Sequence, residues 1–179
     1  RLSGFSQLKG DSRTLNEVVE QFKLDAESKH GAVCPCCGRV GKVYKRKLNI
    51  NMIVSLIEVY KTYRYHDAIG IDDYVHYKFF FNQVPEHYLN DFHKLLYWDL
   101  IEKQFDGDKP VKGCYRISLN GIKFVQREIG LPEYCKVYNG KVEIHIIDSY
   151  IMIEDILKQH NFVYDEIMEY DFDYFKHIK

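Results

Sequence analysis

Two cysteines beside the most basic stretch of the chain have the type and spacing that bind a metal ion. Cys34 and Cys37 stand in a CPxCG arrangement, in which Pro35 and Gly38 favour a tight turn that points both thiolates at one tetrahedral ion. We call residues 34–38 the knuckle. The knuckle is half of a zinc site, because a structural zinc needs four ligands and no second CxxC follows. We predict that Cys34 and Cys37 bind structural Zn2+, and a metal-free turn or a redox pair are the alternatives.

The other zinc ligands have several candidate sources in the sequence. His30 lies four residues before Cys34, and Cys36 lies inside the knuckle. His66 and His76 follow the next expected helix and could fold back onto the knuckle. Alternatively, two chains could each donate one CxxC at a dimer axis, which would make the protein a homodimer. For each single histidine we favour a solvated or hydrogen-bonded side chain, because residue type without spacing is weak evidence.

A run of positive charge follows the knuckle directly. No Asp or Glu occurs between Glu27 and Glu58, whereas six cations accumulate there: Lys29, Arg39, Lys42, Lys45, Arg46 and Lys47. Residues 1–64 carry twelve Lys and Arg against six Asp and Glu, and residues 143–179 carry three against nine. Such a run is typical of a phosphate-contacting surface, and equally of a solvated strand edge whose lysines discourage association between sheets.

Composition limits the class of protein. A chain of 179 residues predicts one compact domain with extensions. No apolar run of about 18 residues occurs, so no membrane span is expected, and the first residues lack the apolar core of a secretion signal. Five cysteines, two of them adjacent, do not form a disulfide framework. These features predict a cytoplasmic location with reduced or metal-bound cysteines.

Helices are expected where apolar residues recur at helical spacing. The spacing predicts helices over 14–27, 49–63, 85–103 and 118–130. Their expected N-terminal caps are Thr14 or Asn16 for the first, Asn49 or Asn51 for the second and Ser118 for the last. A fifth helix is expected within 162–179, where aromatic and acidic residues alternate.

Strands are expected between these helices. The pattern predicts strands over 42–48 and 74–78, a loop over 64–73, and hairpins over 104–118 and 135–144. The second hairpin contains Asn139-Gly140, the preferred pair for a two-residue type I′ turn. From Asp148 onward a strand passing into a short helix is expected. The elements together predict an α+β fold.

The order of elements from residue 49 to about 129 resembles a winged-helix domain. KLLYWDLIEKQ followed by KGCYRISLNGIKFV is similar to the recognition helix, wing and following helix of that fold, with Asp99 where those families often have Gly. The resemblance implies a winged-helix-like core over 49–130. An N-terminal helix and zinc-knuckle hairpin (1–48) would precede it, and a C-terminal hairpin plus helix (131–179) would follow.

A second resemblance covers most of the chain. The segments CPCCGRVGKVYKRKLN, YWDLIE, GIKFV, VYNG and FVYDEIM occur in this order, as in small uncharacterised bacteriophage proteins that carry a CPxCG knuckle before a winged-helix-like core. This resemblance implies a phage-encoded protein that acts in the cytoplasm of a bacterial host. It implies no particular activity.

The winged-helix resemblance implies binding to double-stranded DNA as a regulator. Asn90 and Lys94 would contact base edges from the recognition helix, and Lys109 and Lys112 would hold phosphates from the wing. The main electrostatic contact would come from the strand after the knuckle, through Arg39, Lys42, Lys45, Arg46 and Lys47. Since no motif for catalysis occurs, we do not expect an enzyme. The alternative is a protein-binding module that inhibits or redirects a host defence or transcription protein.

Overall fold

The structure is a computed structural model that describes residues 12–69, 74–82 and 84–169. It is a mixture of helices and sheets, so the predicted α+β class is confirmed. Two compact units are present. The first comprises the described residues up to Lys47 together with Tyr134–Ile146, and the second comprises Leu48–Glu133 and the described residues from 147 onward. None of the helices in these ranges has the length and apolar character that a membrane span requires.

The first unit begins with helix α1, Leu15–Ala26. Thr14 caps it as predicted: its Oγ1 accepts from the Glu17 amide at 3.3 Å, while the Thr14 amide donates to the Glu17 carboxylate at 2.6 Å. Two short antiparallel strands follow, β1 (Ala32–Val33) and β2 (Val40–Gly41), which enclose the knuckle. The helix and the knuckle hairpin are thus where local sequence signals placed them.

A three-stranded sheet supports the basic run. Strand β3 (Tyr44–Lys47) pairs antiparallel with β7 (Leu131–Tyr138), which pairs in turn with β8 (Lys141–Ile151). Asn139 and Gly140 join β7 to β8 with φ of 48° and 74°, as a type I′ turn requires, so the predicted hairpin is confirmed. The strand order leaves β3 at one edge of the sheet.

Helix α2 (Ile50–Ile69) is the core element of the second unit. Asn49 caps it as predicted, because its Oδ1 accepts from the Met52 amide at 3.2 Å. All nine side chains from 52 to 60 are buried. The predicted loop over 64–73 is wrong for residues 64–69, which continue the helix. The polar cluster there contains no helix breaker, and the first Gly or Pro after Asn49 in the sequence is Gly70.

The single helix predicted over 85–103 is wrong. Its place is taken by a short helix α3 (Glu86–Leu89) and a 3₁₀ segment, Phe92–Trp98. The hydroxyl of buried Ser55 donates to the Tyr88 carbonyl at 2.7 Å. In a continuous helix this carbonyl would instead accept a hydrogen bond from the amide of Phe92, four residues later. The long recognition helix that the winged-helix resemblance implies is therefore not formed.

The remaining elements of the second unit include the hairpin predicted over 104–118. Strand β4 (Val75–His76) is followed by a 3₁₀ segment, Tyr77–Asn82. Strands β5 (Ile101–Asp106) and β6 (Lys109–Ile117) form the hairpin. β4 pairs with the other side of β6, so the sheet order is β4-β6-β5. Helices α4, α5 and α6 span Leu119–Val125, Ile153–Gln159 and Tyr164–Glu169. Ser118 caps α4 as predicted, but α4 ends before the predicted boundary at residue 130. The part of the predicted terminal helix from 170 onward lies outside the described residues.

Candidate functional site

The knuckle forms the tight turn that its sequence predicts. The Cys34 amide donates to the Arg39 carbonyl at 2.8 Å, and the Gly38 amide donates to the Cys34 carbonyl at 2.8 Å. Gly38 adopts φ of 72°, a left-handed conformation that glycine accepts at little cost. These bonds hold Cys34 and Cys37 at the two ends of one compact turn.

The three cysteines of the knuckle differ in their environment. Amide N–H groups, first that of Cys37 and then that of Cys36, donate towards the Cys34 sulfur and lower the pKa of its thiol. Loss of solvation, followed by repulsion from Cys34, raises the pKa of Cys36. Cys34 therefore becomes the thiolate that a metal binds more readily than Cys36 does.

The described residues do not assemble a complete metal site. No group of three or more His, Cys, Asp or Glu side chains in the described ranges is placed to hold a metal ion. His30 lines the same groove as Cys34 and Cys37, whereas His66 and His76 belong to the second unit. Zinc binding at the knuckle thus stays a prediction based on two thiols.

An open groove of about 570 Å³ lies beside the knuckle in the first unit. Aromatic, cationic and thiol side chains line it, namely Phe22, Tyr44, Tyr138, Arg39, Lys42, His30, Cys34 and Cys37. Phe22 of α1 meets Tyr138 of β7 edge to face, with ring centres 6.2 Å apart. None of the described residues that line it carries a carboxylate, so the charged side chains among them all favour an anion.

Strand β3 carries the rest of the predicted basic surface. The ammonium of Lys45 lies 4.1 Å from the centre of the Tyr134 ring, and that of Lys47 lies 5.9 Å from it. Since side chains alternate along a strand, Tyr44 and Arg46 occupy the other face, where the guanidinium lies 4.6 Å from the ring centre. Each face of this edge strand thus combines cations with a tyrosine.

Most of these cations are not neutralised by nearby acids. Within the described part of the chain, Arg39, Lys42, Lys45 and Arg46 form no ion pair with a carboxylate. The Lys42 ammonium donates to the Lys29 carbonyl at 2.6 Å instead. On the neighbouring strand β7, by contrast, the Lys136 ammonium is 2.7 Å from the Glu27 carboxylate. The positive charge is therefore concentrated on the edge strand and on the knuckle.

The residues predicted to contact bases lie in the second unit and are arranged differently. Asn90 is exposed at the break after α3, and Lys94 forms a salt bridge with Asp91 in the 3₁₀ region, so no continuous helix presents both. Burial acts to raise the pKa of Asp91, but hydrogen bonds from Lys94 and Asn49 outweigh it and lower the pKa. The Lys94 charge is thus balanced locally.

The predicted wing lysines are exposed. Lys109 and Lys112 both lie on β6, and Lys109 is opposite Asp106 across the hairpin. Both side chains are therefore accessible to a phosphate, and Lys109 has Asp106 as an acidic neighbour.

The aromatic part of the basic surface is not among the residues predicted from the sequence. Tyr44, Tyr134 and Tyr138 lie among the cations of the first unit but were not predicted as site residues. For Tyr44 a signal exists, because it interrupts the basic run in the segment KVYKRK. Tyr134 is brought there only by strand pairing opposite Lys47.

Comparison with protein families, characterised proteins and solved structures finds no match to this chain.

Proposed function

We propose that this chain is a non-enzymatic protein that binds double-stranded DNA as a regulator, through the edge strand β3 and the knuckle. The observation that carries the proposal is the set of cations from Arg39 to Lys47, of which four form no ion pair with a carboxylate within the described ranges. Cations that are not already paired can replace the counterions of DNA phosphates, which gives most of the affinity of such surfaces.

The tyrosines beside these cations support the same function. Lys45 and Lys47 are held near Tyr134, and Arg46 near Tyr44, so part of the side-chain entropy of the cations is already lost before DNA binds. Among the described residues that line the groove beside them, none carries a carboxylate. A phosphate backbone that approaches the groove therefore meets attraction from its cations, and the Glu27 carboxylate of the same unit is already paired with Lys136.

The proposed contact differs from that of a typical winged helix. A recognition helix would have to present Asn90 and Lys94 together, but the segment is broken between them and Lys94 is paired with Asp91. We therefore assign phosphate contact to β3 and do not assign base contact to these two residues. Lys109 and Lys112 on β6 are a separate candidate for phosphate contact, because both are exposed.

The salt dependence of DNA binding tests the proposal. Affinity for a fluorescent duplex, measured by anisotropy between roughly 50 and 200 mM salt, should fall steeply. The variant K45A/R46A/K47A should flatten the slope of log affinity against log salt by up to about three units, since each phosphate contributes roughly 0.9. The control K123A/R127A/K158A removes the same formal charge from the second unit and should change the slope by much less.

Two results would contradict the proposal. Equal effects of both triple variants would mean that only net charge matters. Absence of salt-dependent DNA binding, together with a stoichiometric protein partner captured from bacterial lysate in the presence of nuclease, would favour the protein-binding module. The variant K109A/K112A, assayed in the same way, separates the contribution of the β5–β6 hairpin from that of β3.

A further inference from the structure

The knuckle offers two of the four ligands that a structural zinc requires. Cys34 is half-buried, Cys37 is exposed, and both line the same groove. No third metal-ligating side chain in the described ranges is placed to join them. Since structural zinc is almost always bound by four protein ligands in tetrahedral geometry, a site built on this pair alone is incomplete.

An exposed apolar pair flanks the two cysteines. Val33 of β1 and Val40 of β2 are directly opposite each other in the hairpin, so their side chains share one face. Their exposed fractions are 63% and 68%, although both are β-branched apolar residues in a sheet. Val33 precedes Cys34 in the chain, so an apolar patch lies next to a half-completed ligand set. Such a patch is stabilised when a partner covers it.

From this juxtaposition we propose that two copies of the chain share one Zn2+ at their knuckles, with Cys34 and Cys37 of each copy as the four ligands. A two-fold axis through the metal makes the two ligand pairs equivalent, and this is the commonest symmetry of homodimers. Val33 and Val40 of each copy then form the apolar rim of the contact. The proposal concerns the metal and the dimer, and it does not depend on DNA binding.

Electrostatics support four thiolates at this position. Four thiolates around one Zn2+ leave two negative charges, which need positive neighbours in the protein. Arg39 follows the knuckle directly, and Lys42 lines the same groove. No carboxylate that would oppose a negative cluster occurs among the described residues of the groove lining. The same cations would repel each other across a metal-free dimer, so association should require the metal.

Metal content and mass test the proposal on the full chain. The protein is purified in zinc-containing buffer, and zinc is measured by mass spectrometry of the metal alongside light scattering of the eluted peak. We expect one zinc per two chains and a mass twice that of the 21.3 kDa chain. A strong chelator should give a monomer, and adding zinc back should restore the dimer. Cobalt(II) substitution should give the visible spectrum of a tetrahedral four-thiolate site.

Variants separate the ligands from the apolar rim. Cys34→Ser and Cys37→Ser should each abolish both zinc binding and the dimer. Cys36→Ser and Cys114→Ser are matched controls that should keep both. The variant V33S/V40S retains all four ligands and should weaken the zinc-dependent dimer at least about tenfold, measured by dilution in light scattering.

Several results would overturn the proposal. One zinc per chain in a monomer would mean that the remaining ligands come from the same copy. A dimer that survives chelation, or protein without bound zinc after zinc addition, would remove the shared site. A Cys34–Cys37 disulfide found by mass measurement of fresh material under non-reducing conditions would favour the redox pair. None of these measurements involves DNA, so they leave the proposed function to its own test.

Discussion

Ser55 on α2 donates its hydroxyl to the carbonyl oxygen of Tyr88 at 2.7 Å, and this bond marks the place where the helical segment after Pro85 breaks. Three residues later, the Asp91 carboxylate accepts from the Asn49 side chain at 2.9 Å. Two polar contacts to α2 and its cap therefore fix the path of the chain between α3 and the 3₁₀ segment. They also separate Asn90 from Lys94, which a continuous helix would have joined.

Removing the Ser55 hydroxyl should destabilise the protein. In Ser55→Ala the part-buried Tyr88 carbonyl loses this donor, which should lower the free energy of unfolding by about 1 kcal/mol, the net contribution of a typical hydrogen bond. Urea denaturation followed by circular dichroism measures this. Thr62→Val is the matched control, because Thr62 is buried on the same helix and its hydroxyl donates within that helix, to the Glu58 carbonyl at 2.9 Å. A smaller loss for Ser55→Ala than for Thr62→Val would contradict the account.

The break could not be predicted from the sequence, because its cause is tertiary. Tyr88, Phe92 and Leu95 have the spacing of a helical stripe whether or not the helix is continuous. Ser55 lies 33 residues away, and nothing in its local sequence indicates Tyr88 as its partner. By contrast, the Thr14 capping box and the Asn139-Gly140 turn were predicted correctly, since each depends only on neighbouring residues.

The same distinction separates the two parts of the candidate site. The tight turn around Cys34 follows from five consecutive residues, so the sequence predicts it. The cation and aromatic pairs of β3 depend on pairing with β7, which places Tyr134 opposite Lys47. Those two strands are almost ninety residues apart in the chain, and the sequence predicted no pairing between them.

Asp99 in the turn before β5, and Gly121 of α4 next to that turn, should have opposite effects on stability when they are substituted. Asp99 adopts φ of 52°, a left-handed conformation that costs a non-glycine residue about 1 kcal/mol, so Asp99→Gly should raise the free energy of unfolding by up to about that amount. Gly121→Ala should lower it by about 1–3 kcal/mol or more, because the new Cβ would overlap the Leu100 carbonyl oxygen. Thermal and urea denaturation of both variants measure the two changes. Destabilisation by Asp99→Gly would mean that the extra backbone entropy of glycine in the unfolded chain, or a lost contact of the carboxylate, outweighs the relief of the left-handed conformation.

Glu58 should make stability depend on pH. Burial raises the pKa of this carboxyl, although the Lys61 ammonium at 3.1 Å opposes the shift. Because the native state holds this proton more tightly than the unfolded chain does, the stabilising contribution is fully present below the unfolded pKa of about 4.3. It is lost as the pH rises through the native pKa. Glu58→Gln does not titrate, so its stability relative to wild type should increase with pH across that window.

Lys61→Gln is the companion variant to Glu58→Gln. Removing the ammonium takes away the interaction that lowers the pKa of Glu58, so the pH-dependent loss of stability should extend to higher pH than in wild type. Urea denaturation at a series of pH values from about 4.5 to 8 gives all three curves. Parallel curves for wild type and Glu58→Gln would show that this carboxyl does not titrate with a raised pKa.

Cys135 should be the least reactive thiol that the structure describes. It is fully buried on β7, and burial raises the pKa of its thiol to about 11, although Arg46 opposite it on β3 acts to lower the value. At pH 8 only about one thousandth of this thiol is then ionised, and the thiolate is the reactive form. Pulses of iodoacetamide in the presence of a chelator, followed by peptide mass mapping, should label Cys34 early and leave Cys135 unmodified. The same pulse in denaturant should label both at similar rates, which provides the control. Native labelling of Cys135 as fast as Cys34 would contradict the assigned burial and show that β7 opens readily in the folded protein.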